Sequence, residues 1–488
     1  MSSQPLRVLI VASEVAPFAK SGGLADVMAA LPLALKRRGV DVRLVLPHYG
    51  WINGDAWTRH REPLGIPVSP TERWCGVLQG KLEQVPVYFL EHDALYDRPY
   101  IYGPPEQAYS DNCLRFALLS RGALQLCHHL DWWPEVIHAN DWQTALVPLY
   151  LNTVERDGPL RHTASVLTIH NLAFQGWFLR SDAADIFSTP RDLAPLGLEA
   201  FGAVNLLKGG IHHATLVTTV SPTYAQEIQT QWFGEGLDPI LRSRRGDLFG
   251  VLNGIDHERW NPATDTLIPR QFTSRDLSGK RFCKAALQQE ANLEQRPELP
   301  LVGMVTRLSR QKGVDVVAAA LDRVLDLGLQ LVLLGTGDPW AMDFFARASK
   351  RHARRFHAWI TFDERLAHLV EAGSDFFLMP SRWEPCGLNQ MYSMRYGTIP
   401  IIRATGGLHD SGEAFDEERG DGNCFKFHDL TPDALVNVTG WAARVYRENP
   451  LAMSGLIQRA MQQDFSWDRA AATYEYLYRR ACVRKAGW

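Results

Sequence analysis

Short apolar runs, each followed by a helical pattern, recur along this chain: RVLIVAS, DVRLVLP, VPVYFLE, EVIHA, SVLTIHN, LVTTVS and LFGVLN, then LVGMVTRL, LQLVLLGTG, HAWITF, DFFLMPS and IPIIRAT. Strands that alternate with helices pair in parallel, because a crossover returns the chain to the same end of the sheet. Near-continuous apolar strands also mean that both faces are covered. The rhythm predicts an α/β chain of doubly wound sheets, and its restart predicts two of them. At 488 residues the chain exceeds what one ordinary core sustains. Between the two series, NGIDHERWNPATDTLIPRQ is Pro-rich and aperiodic and predicts a linker near residues 256–275. The expected domains are 1–256 and 257–462, with their strand ends facing a central cleft, where such sheets bind ligands. WDRAAATYEYLYRRACVRKA has helical spacing and no strand to follow, so residues 463–488 are expected to form a helix packing back on the N-terminal domain.

Composition removes several classes of function. Fifty-one Lys and Arg against 54 Asp and Glu give a formal charge of −3 with no basic block, which argues against nucleic acid and charged membrane surfaces as partners. No apolar run reaches transmembrane length and no signal-peptide layout is present, so a cytoplasmic protein is expected. The seven cysteines are scattered without a CxxC pair and read as reduced thiols, not as a zinc site. Fifteen tryptophans, several in polar contexts such as HLDWWPE, NDWQT and FQGWF, suit stacking on sugar faces.

The residues that carry chemistry stand at strand ends. KSGGLADV, residues 20–27, joins the first strand to a helix, where unpaired backbone N–H groups and the positive helix end invite an anion. Lys20 adds charge there, and Gly22 and Gly23 allow close approach. Glu14, Asp141 in HANDW and His170 in TIHNLAFQG follow other strands of the first half. In the second half, TRLSRQKG places Arg307 and Lys312 where both can reach one diphosphate. LGTGD offers Gly335 and Gly337 as a close-approach turn. In MPSRWEPCGLNQ, Glu384 precedes Pro385 and Gly387, an acid set beside backbone donors that can take sugar hydroxyls and phosphate oxygens. Gly406 and Gly407 form a second anion-friendly turn.

With these motifs assembled, the chain resembles the bacterial and plastid-type glycogen (starch) synthases, retaining glucosyltransferases of family 5. The resemblance runs essentially the whole length. KSGGLADV and TIHNLAFQG match the family's signatures, and LNGID, RLSRQKG, SRWEPCGL and TGGL follow in the expected order. It implies the GT-B architecture, two Rossmann-like domains, and transfer of glucose from ADP-glucose to the non-reducing 4-hydroxyl of an α-1,4-glucan with retention. It further implies that Lys20, Gly22 and Gly23 meet donor phosphates and that Arg307 and Lys312 neutralise the leaving diphosphate. Glu384 with the Cys386, Gly387 and Leu388 backbone is then expected to hold glucose hydroxyls, with His170, Asp141 and Asn253 beside the transferred sugar. Phe362 takes a position where an aromatic ring stacks on adenine, and Gly335 and Gly407 complete the donor set. Glu14, Asp26, Trp142 and Gln175 are candidates for the acceptor or sugar. No cofactor and no metal is expected. The expected partners are the nucleotide sugar and the α-glucan.

Departures from the family pattern are also visible. HANDWQ replaces the common HAHDWH, putting Asn140 and Gln143 where histidines are usual, and Phe362 replaces a frequent tyrosine. Tyr392 stands where the wider group of retaining enzymes carries a second Glu, as it does in the glycogen synthases themselves. A non-catalytic glycan-binding relative would have lost Lys20, Arg307, Lys312 or Glu384, and all four are present. A pyridoxal-phosphate glucan phosphorylase, which shares the double-domain plan, is disfavoured by KSGGL and by the chain length.

Overall fold

The computed structural model describes residues 5–104, 107–187, 189 and 191–487. The chain forms two compact units, one of residues 1–220, 225–251 and 467–488, the other of residues 221–224 and 252–466.

The first unit is built on β1 (Arg7–Val11), β2 (Asp41–Pro47), β3 (Glu72–Leu82), β4 (Val85–Glu91), β5 (Val136–Asn140), β6 (Ala164–Ile169), β7 (Leu216–Thr219) and β8 (Leu248–Gly250). Their spatial order is β8-β7-β6-β5-β1-β2-β4-β3, with two short strands completing a ten-stranded sheet at the β3 edge. Neighbours from β8 to β4 are parallel, whereas β3 runs antiparallel to β4. Strand order reverses between β1 and β5, and a ligand crevice opens outside the carboxyl ends of strands at such a point. The helix α1 (Gly23–Arg37) leaves β1 and buries Leu24, Val27, Met28, Leu31 and Leu35, the one-sided spacing of a helix covering a sheet. Each such side chain contributes about 1.5–3 kcal/mol of burial. Gly39, at φ +85°, stops the helix in a left-handed turn.

The helix Trp467–Lys485 belongs to this first unit, where residues 463–488 were expected to form it. Tyr474, Leu477 and Tyr478 are buried, and a polar chain anchors it. Tyr478 OH lies 2.8 Å from His138 Nδ1, His138 Nε2 lies 2.6 Å from Thr168 Oγ1, and Thr168 Oγ1 lies 2.6 Å from Thr218 Oγ1. Burial pushes His138 down to about 3, so the ring stays neutral.

The second unit carries β9 (Leu301–Val305), β10 (Gln330–Leu334), β11 (Phe356–Trp359), β12 (Phe376–Met379), β13 (Ile399–Arg403) and β14 (Phe425–Phe427) in the order β11-β10-β9-β12-β13-β14. Every pair is parallel, and the order reverses between β9 and β12. Each sheet therefore has one switch point.

The expected linker at 256–275 is corrected. This stretch packs within the second unit, because its apolar side chains find a core despite the lack of periodicity. The Trp260 ring stacks between His368 at 4.0 Å and Tyr392 at 3.9 Å. Asp265 is buried and accepts from Tyr396 OH at 2.6 Å, with His368 Nδ1 at 2.7 Å. Ile268 and Phe272 join Cys283, Tyr396 and Met461 in one cluster. The chain enters the second unit at Leu252 and leaves it after Ser466, in place of 257 and 462. Residues 221–224 also go with that unit, where Ser221 Oγ donates to Pro385 O at 2.6 Å and Thr223 bonds Asp410.

Candidate active site

In the first unit the candidates gather at the carboxyl ends of β1, β5 and β6. Glu14 follows β1 and is buried, and its carboxylate accepts from Ser21 N at 2.5 Å, Ser21 Oγ at 2.7 Å, Gly22 N at 3.2 Å and Tyr102 OH at 2.5 Å. Glu14, expected to face a sugar, is instead an internal anion that holds the glycine turn, because that turn's own donors claim it. Gly22 N–H is thereby engaged. Gly22 and Gly23 nevertheless have no packing reason to lack a side chain, since a Cβ at either meets nothing within 4 Å. Gly22 sits at φ −153°, a conformation open to any residue. Lys20 is exposed and pairs with Asp26 at 2.7 Å, so both candidates lie together on the turn.

Asp141 directly follows β5 at φ +57°, ψ −172°, a backbone region that costs a non-glycine residue about 1–3 kcal/mol. Its carboxylate accepts from His170 N at 2.7 Å and from the Asn171 N–H. Burial nevertheless pushes Asp141 up to about 7, partly opposed by those two N–H groups. His170 directly follows β6, with Nε2 3.0 Å from Asn140 Oδ1. The Asn140 amide nitrogen donates to Val11 O at 3.2 Å and His138 O at 3.4 Å, which orients the amide. His170 must then donate from Nε2, leaving Nδ1 as the acceptor of the ring. Burial pushes this histidine down to about 3, so it is neutral.

Trp142 is half-buried, packed edge-on against Phe116 at 5.0 Å, and a Cβ on Gly176 would strike its ring at 2.5 Å. Gln175 is corrected: it is buried, donates to Leu172 O and Glu235 O, and accepts from Asn205 Nδ2 at 2.6 Å. Its polar atoms tie loops together.

In the second unit the turns after β9 and β12 are knitted into one surface. A Cβ on Gly313, at φ +71°, would lie 2.0 Å from Pro380 O. Arg382 N donates to Gln311 O at 2.8 Å, and the Arg382 guanidinium grips Asp315 with two contacts of 2.7 Å. Lys312 is thereby brought to Glu384, with Nζ 2.6 Å from Oε2, and Ser381 Oγ donates to the same oxygen at 3.0 Å. Their side chains are 20 % and 6 % exposed. Arg307 is exposed and makes no ion pair with any described residue.

The remaining glycines divide by cause. Gly335 would place a Cβ 1.8 Å from Thr306 O and Gly407 one 2.1 Å from Cys386 O, so both are required by neighbouring turns. The Gly407 N–H also donates to Glu384 O at 3.0 Å. Both were expected in the donor set, and their contacts are with protein. Gly387, at φ +71°, reverses the chain, and Leu388 caps the helix Asn389–Arg395. Burial pushes the Cys386 thiol up to about 12, opposed by its bonds to Asn253. Asn253 is buried with no hydrogen-bond partner for Oδ1. Phe362, after β11, is 90 % exposed. Tyr392 is a packing residue, stacked on Trp260.

Three supporting residues escaped sequence reasoning: Tyr102, Ser381 and Arg382. Their types are common, and the partners they support lie 88, 3 and 67 positions away. A serine three positions before Glu384 was the one available signal. Among the described residues no group of three or more His, Cys, Asp or Glu could hold a metal ion, and no helix is long and apolar enough to cross a membrane.

With the geometry established, comparison with known proteins is informative. The family model described as starch synthase catalytic domain matches residues 7–243, and that described as glycosyl transferases group 1 matches 287–438. The chain is 46% identical over 489 aligned residues to Glycogen synthase 1 of Geobacter sulfurreducens, covering 99% of this chain and 97% of that one. It is 48% identical to a glycogen synthase of Anaeromyxobacter sp. (strain Fw109-5), covering 97% and 99%. The solved catalytic domain of starch synthase IV from Arabidopsis thaliana, bound to ADP and acarbose, superposes with a TM-score of 0.88 at 35% identity, covering 99% of this chain and 100% of that one. A sucrose-phosphate synthase from Thermosynechococcus elongatus shares the fold at 19% identity, TM-score 0.56, covering 98% of each chain.

Proposed function

Since this chain belongs to the glycogen and starch synthase family of GT-B glycosyltransferases, we propose that it transfers glucose from ADP-glucose to the non-reducing 4-hydroxyl of an α-1,4-glucan, with retention. The observation that carries this reading is the placement of the Lys312–Glu384 pair at the switch point of the second sheet. A nucleotide sugar presents its phosphate and its hexose one bond apart, and here a cation and an acid stand 2.6 Å apart. Lys312 and the unpaired Arg307 take the charge that grows on the departing diphosphate, and Glu384 takes glucose hydroxyls. These cations do the work of a divalent ion, so no metal or other cofactor is required.

In the first unit, Lys20 and the open face of Gly22 and Gly23 suit donor phosphate, because neither packing nor φ explains the two glycines. The His170 ring is held neutral with Nδ1 ready to accept from a sugar hydroxyl. Asp141, strained and titrating near neutrality, sits beside it. The acid candidates are one Asp and one Glu carried by different units, and in this reading neither acts as a nucleophile. Retention then proceeds by same-face attack, with the leaving phosphate accepting the proton of the incoming 4-hydroxyl. A cytoplasmic location fits both substrates. The test incubates purified protein with ADP-glucose or UDP-glucose and glycogen and measures nucleotide release and the anomeric configuration of the new linkage. Absence of glucan-dependent nucleotide release with either donor would falsify the assignment.

A further inference from the structure

Asn140 ends β5, fully buried, and stands opposite Thr168 of β6 in the parallel register. Side chains two apart on a strand share a face, and so do paired residues of neighbouring strands. His138 therefore meets Thr168 at 2.6 Å in one layer, and Asn140 meets His170 at 3.0 Å in the layer nearer the strand ends. The Asn140 backbone is pinned as well. Its N–H donates to Thr144 Oγ1 at 2.5 Å, and its carbonyl accepts from the same hydroxyl at 2.8 Å. Thr144 is itself fully buried.

The amide has two unlike ends, and its surroundings allow one placement of them. One end faces Val11 O at 3.2 Å and His138 O at 3.4 Å, two acceptors that only the NH₂ group satisfies. Oδ1 is left facing His170 Nε2 and requires a proton there. A neutral imidazole with its N–H on Nε2 carries a bare lone pair on Nδ1. The ring is half-buried, and no hydrogen bond reaches Nδ1 from any described residue. Such a nitrogen accepts and cannot donate. It matches a hydroxyl and discriminates against groups of similar size that lack a proton, such as fluorine.

We infer that Asn140 is a positioning residue that determines specificity: by locking the tautomer of His170, it makes the site demand a proton-donating hydroxyl where the transferred sugar meets Nδ1. This rests on the glucosyl-transfer reading. Asn140 acts through His170 and not on the substrate, so its removal should be felt at one hydroxyl, whereas loss of a merely structural residue weakens every donor alike. The test has two arms. Full-length wild type, Asn140→Leu and Asn140→Ala, prepared with isotope-labelled histidine, are read by NMR of the ring nitrogens, the His170 signals being those missing from His170→Gln. Steady-state kinetics with glycogen then compare ADP-glucose with its 3-, 4- and 6-deoxyfluoro analogues. Fluorine's inductive slowing of transfer is common to all forms of the enzyme and cancels when a variant's hydroxyl-to-fluorine ratio of kcat/KM is divided by that of wild type.

Wild type is expected to carry the His170 proton on Nε2 alone, and the variants to show both tautomers. At one of the three positions the preference for hydroxyl over fluorine should fall by about tenfold in the variants, and at the other two it should stay within about twofold. Asn140→Ala makes no demand on space and gives the same pattern should Asn140→Leu fail to fold. A wild-type ring protonated on Nδ1 overturns the inference, as does an unmixed Nε2 tautomer in the variants. A preference that falls equally at all three positions, or at none, overturns it too. If wild type transfers glucose from no donor, the function assignment fails. The tautomer arm needs no turnover and in that case still decides whether Asn140 sets the ring.

Discussion

Arg307→Ala and Lys312→Ala are expected to diverge in stability although both slow the reaction. The two cations serve the same departing diphosphate, but only Lys312 has a second task in the resting protein. Removing its ammonium leaves the Glu384 carboxylate, 6 % exposed, with the Ser381 hydroxyl as its remaining partner. Breaking a fully buried pair costs about 3–5 kcal/mol. The 20 % exposure of the Lys312 side chain admits water and reduces the expected loss to about 2–3 kcal/mol. For a unit of this size that is a fall in melting temperature of about 4–12 °C.

Arg307, exposed and without an ion pair, should change stability by no more than about 0.5 kcal/mol. Both substitutions should lower kcat by about a hundred- to a thousandfold, the usual cost of one preorganised donor to transition-state charge. Arg307→Lys should recover only part of this, because an ammonium lacks the planar fork of a guanidinium. Adding Glu384→Gln to Lys312→Ala should restore about 1–3 kcal/mol, since the orphaned charge goes with it. The assay pairs steady-state kinetics with urea unfolding of the single and double variants. Equal stability of Lys312→Ala and wild type would refute the buried-pair reasoning. A change confined to the donor KM, with kcat intact, would refute the leaving-group role.

Lys20→Gln should lower donor efficiency about ten- to a hundredfold and leave the melting temperature unchanged, because the Lys20–Asp26 pair is a surface pair; unaltered kinetics would remove Lys20 from the donor set. Activity that requires ionised Asp141 should rise through a limb near pH 7 in wild type, and the residual activity of Asp141→Asn should lack that limb. His138 and His170 are depressed to about 3, so their contribution to stability is fully present above about pH 6.5 and is lost as pH falls toward 3. Each costs about 1.4 kcal/mol per unit in that window, and His138→Gln should flatten the acid limb of a stability profile by one proton. Turnover should survive excess EDTA, and restoration by magnesium after chelation would contradict the metal-free reading.

The parallel strands of both sheets up to β13 were legible in the sequence because each lies in a short, largely apolar run followed by a helical pattern. β14, FKF, is too short and too mixed to register, and the antiparallel edge at β3 reads ERWCGVLQGKL, with exposed Glu72 and Trp74 breaking the apolar signal. Strand-end chemistry was legible wherever a motif fixed it, as with Lys312 and Glu384. What a side chain meets across the fold was not. Glu14 stands where a ligand-facing acid would stand, and only the folded turn reveals that Ser21 and Gly22 claim it. Trp260 and Asp265 looked like linker because aperiodic sequence can still be core when each residue finds its own niche, here against His368, Tyr392 and Tyr396.

The helix Trp467–Lys485 also sets a schedule for biogenesis. Residues 252–466 emerge from the ribosome before it, which at about 5–20 residues per second is a delay of roughly 10–40 s. Throughout that interval the nascent first unit has its strands but lacks Tyr474, Leu477 and Tyr478, and His138 has no tyrosine hydroxyl to meet. The N-terminal unit therefore cannot mature before its successor is translated. A nascent chain stalled anywhere in that interval lacks the cover this helix gives to α1, β5 and β6.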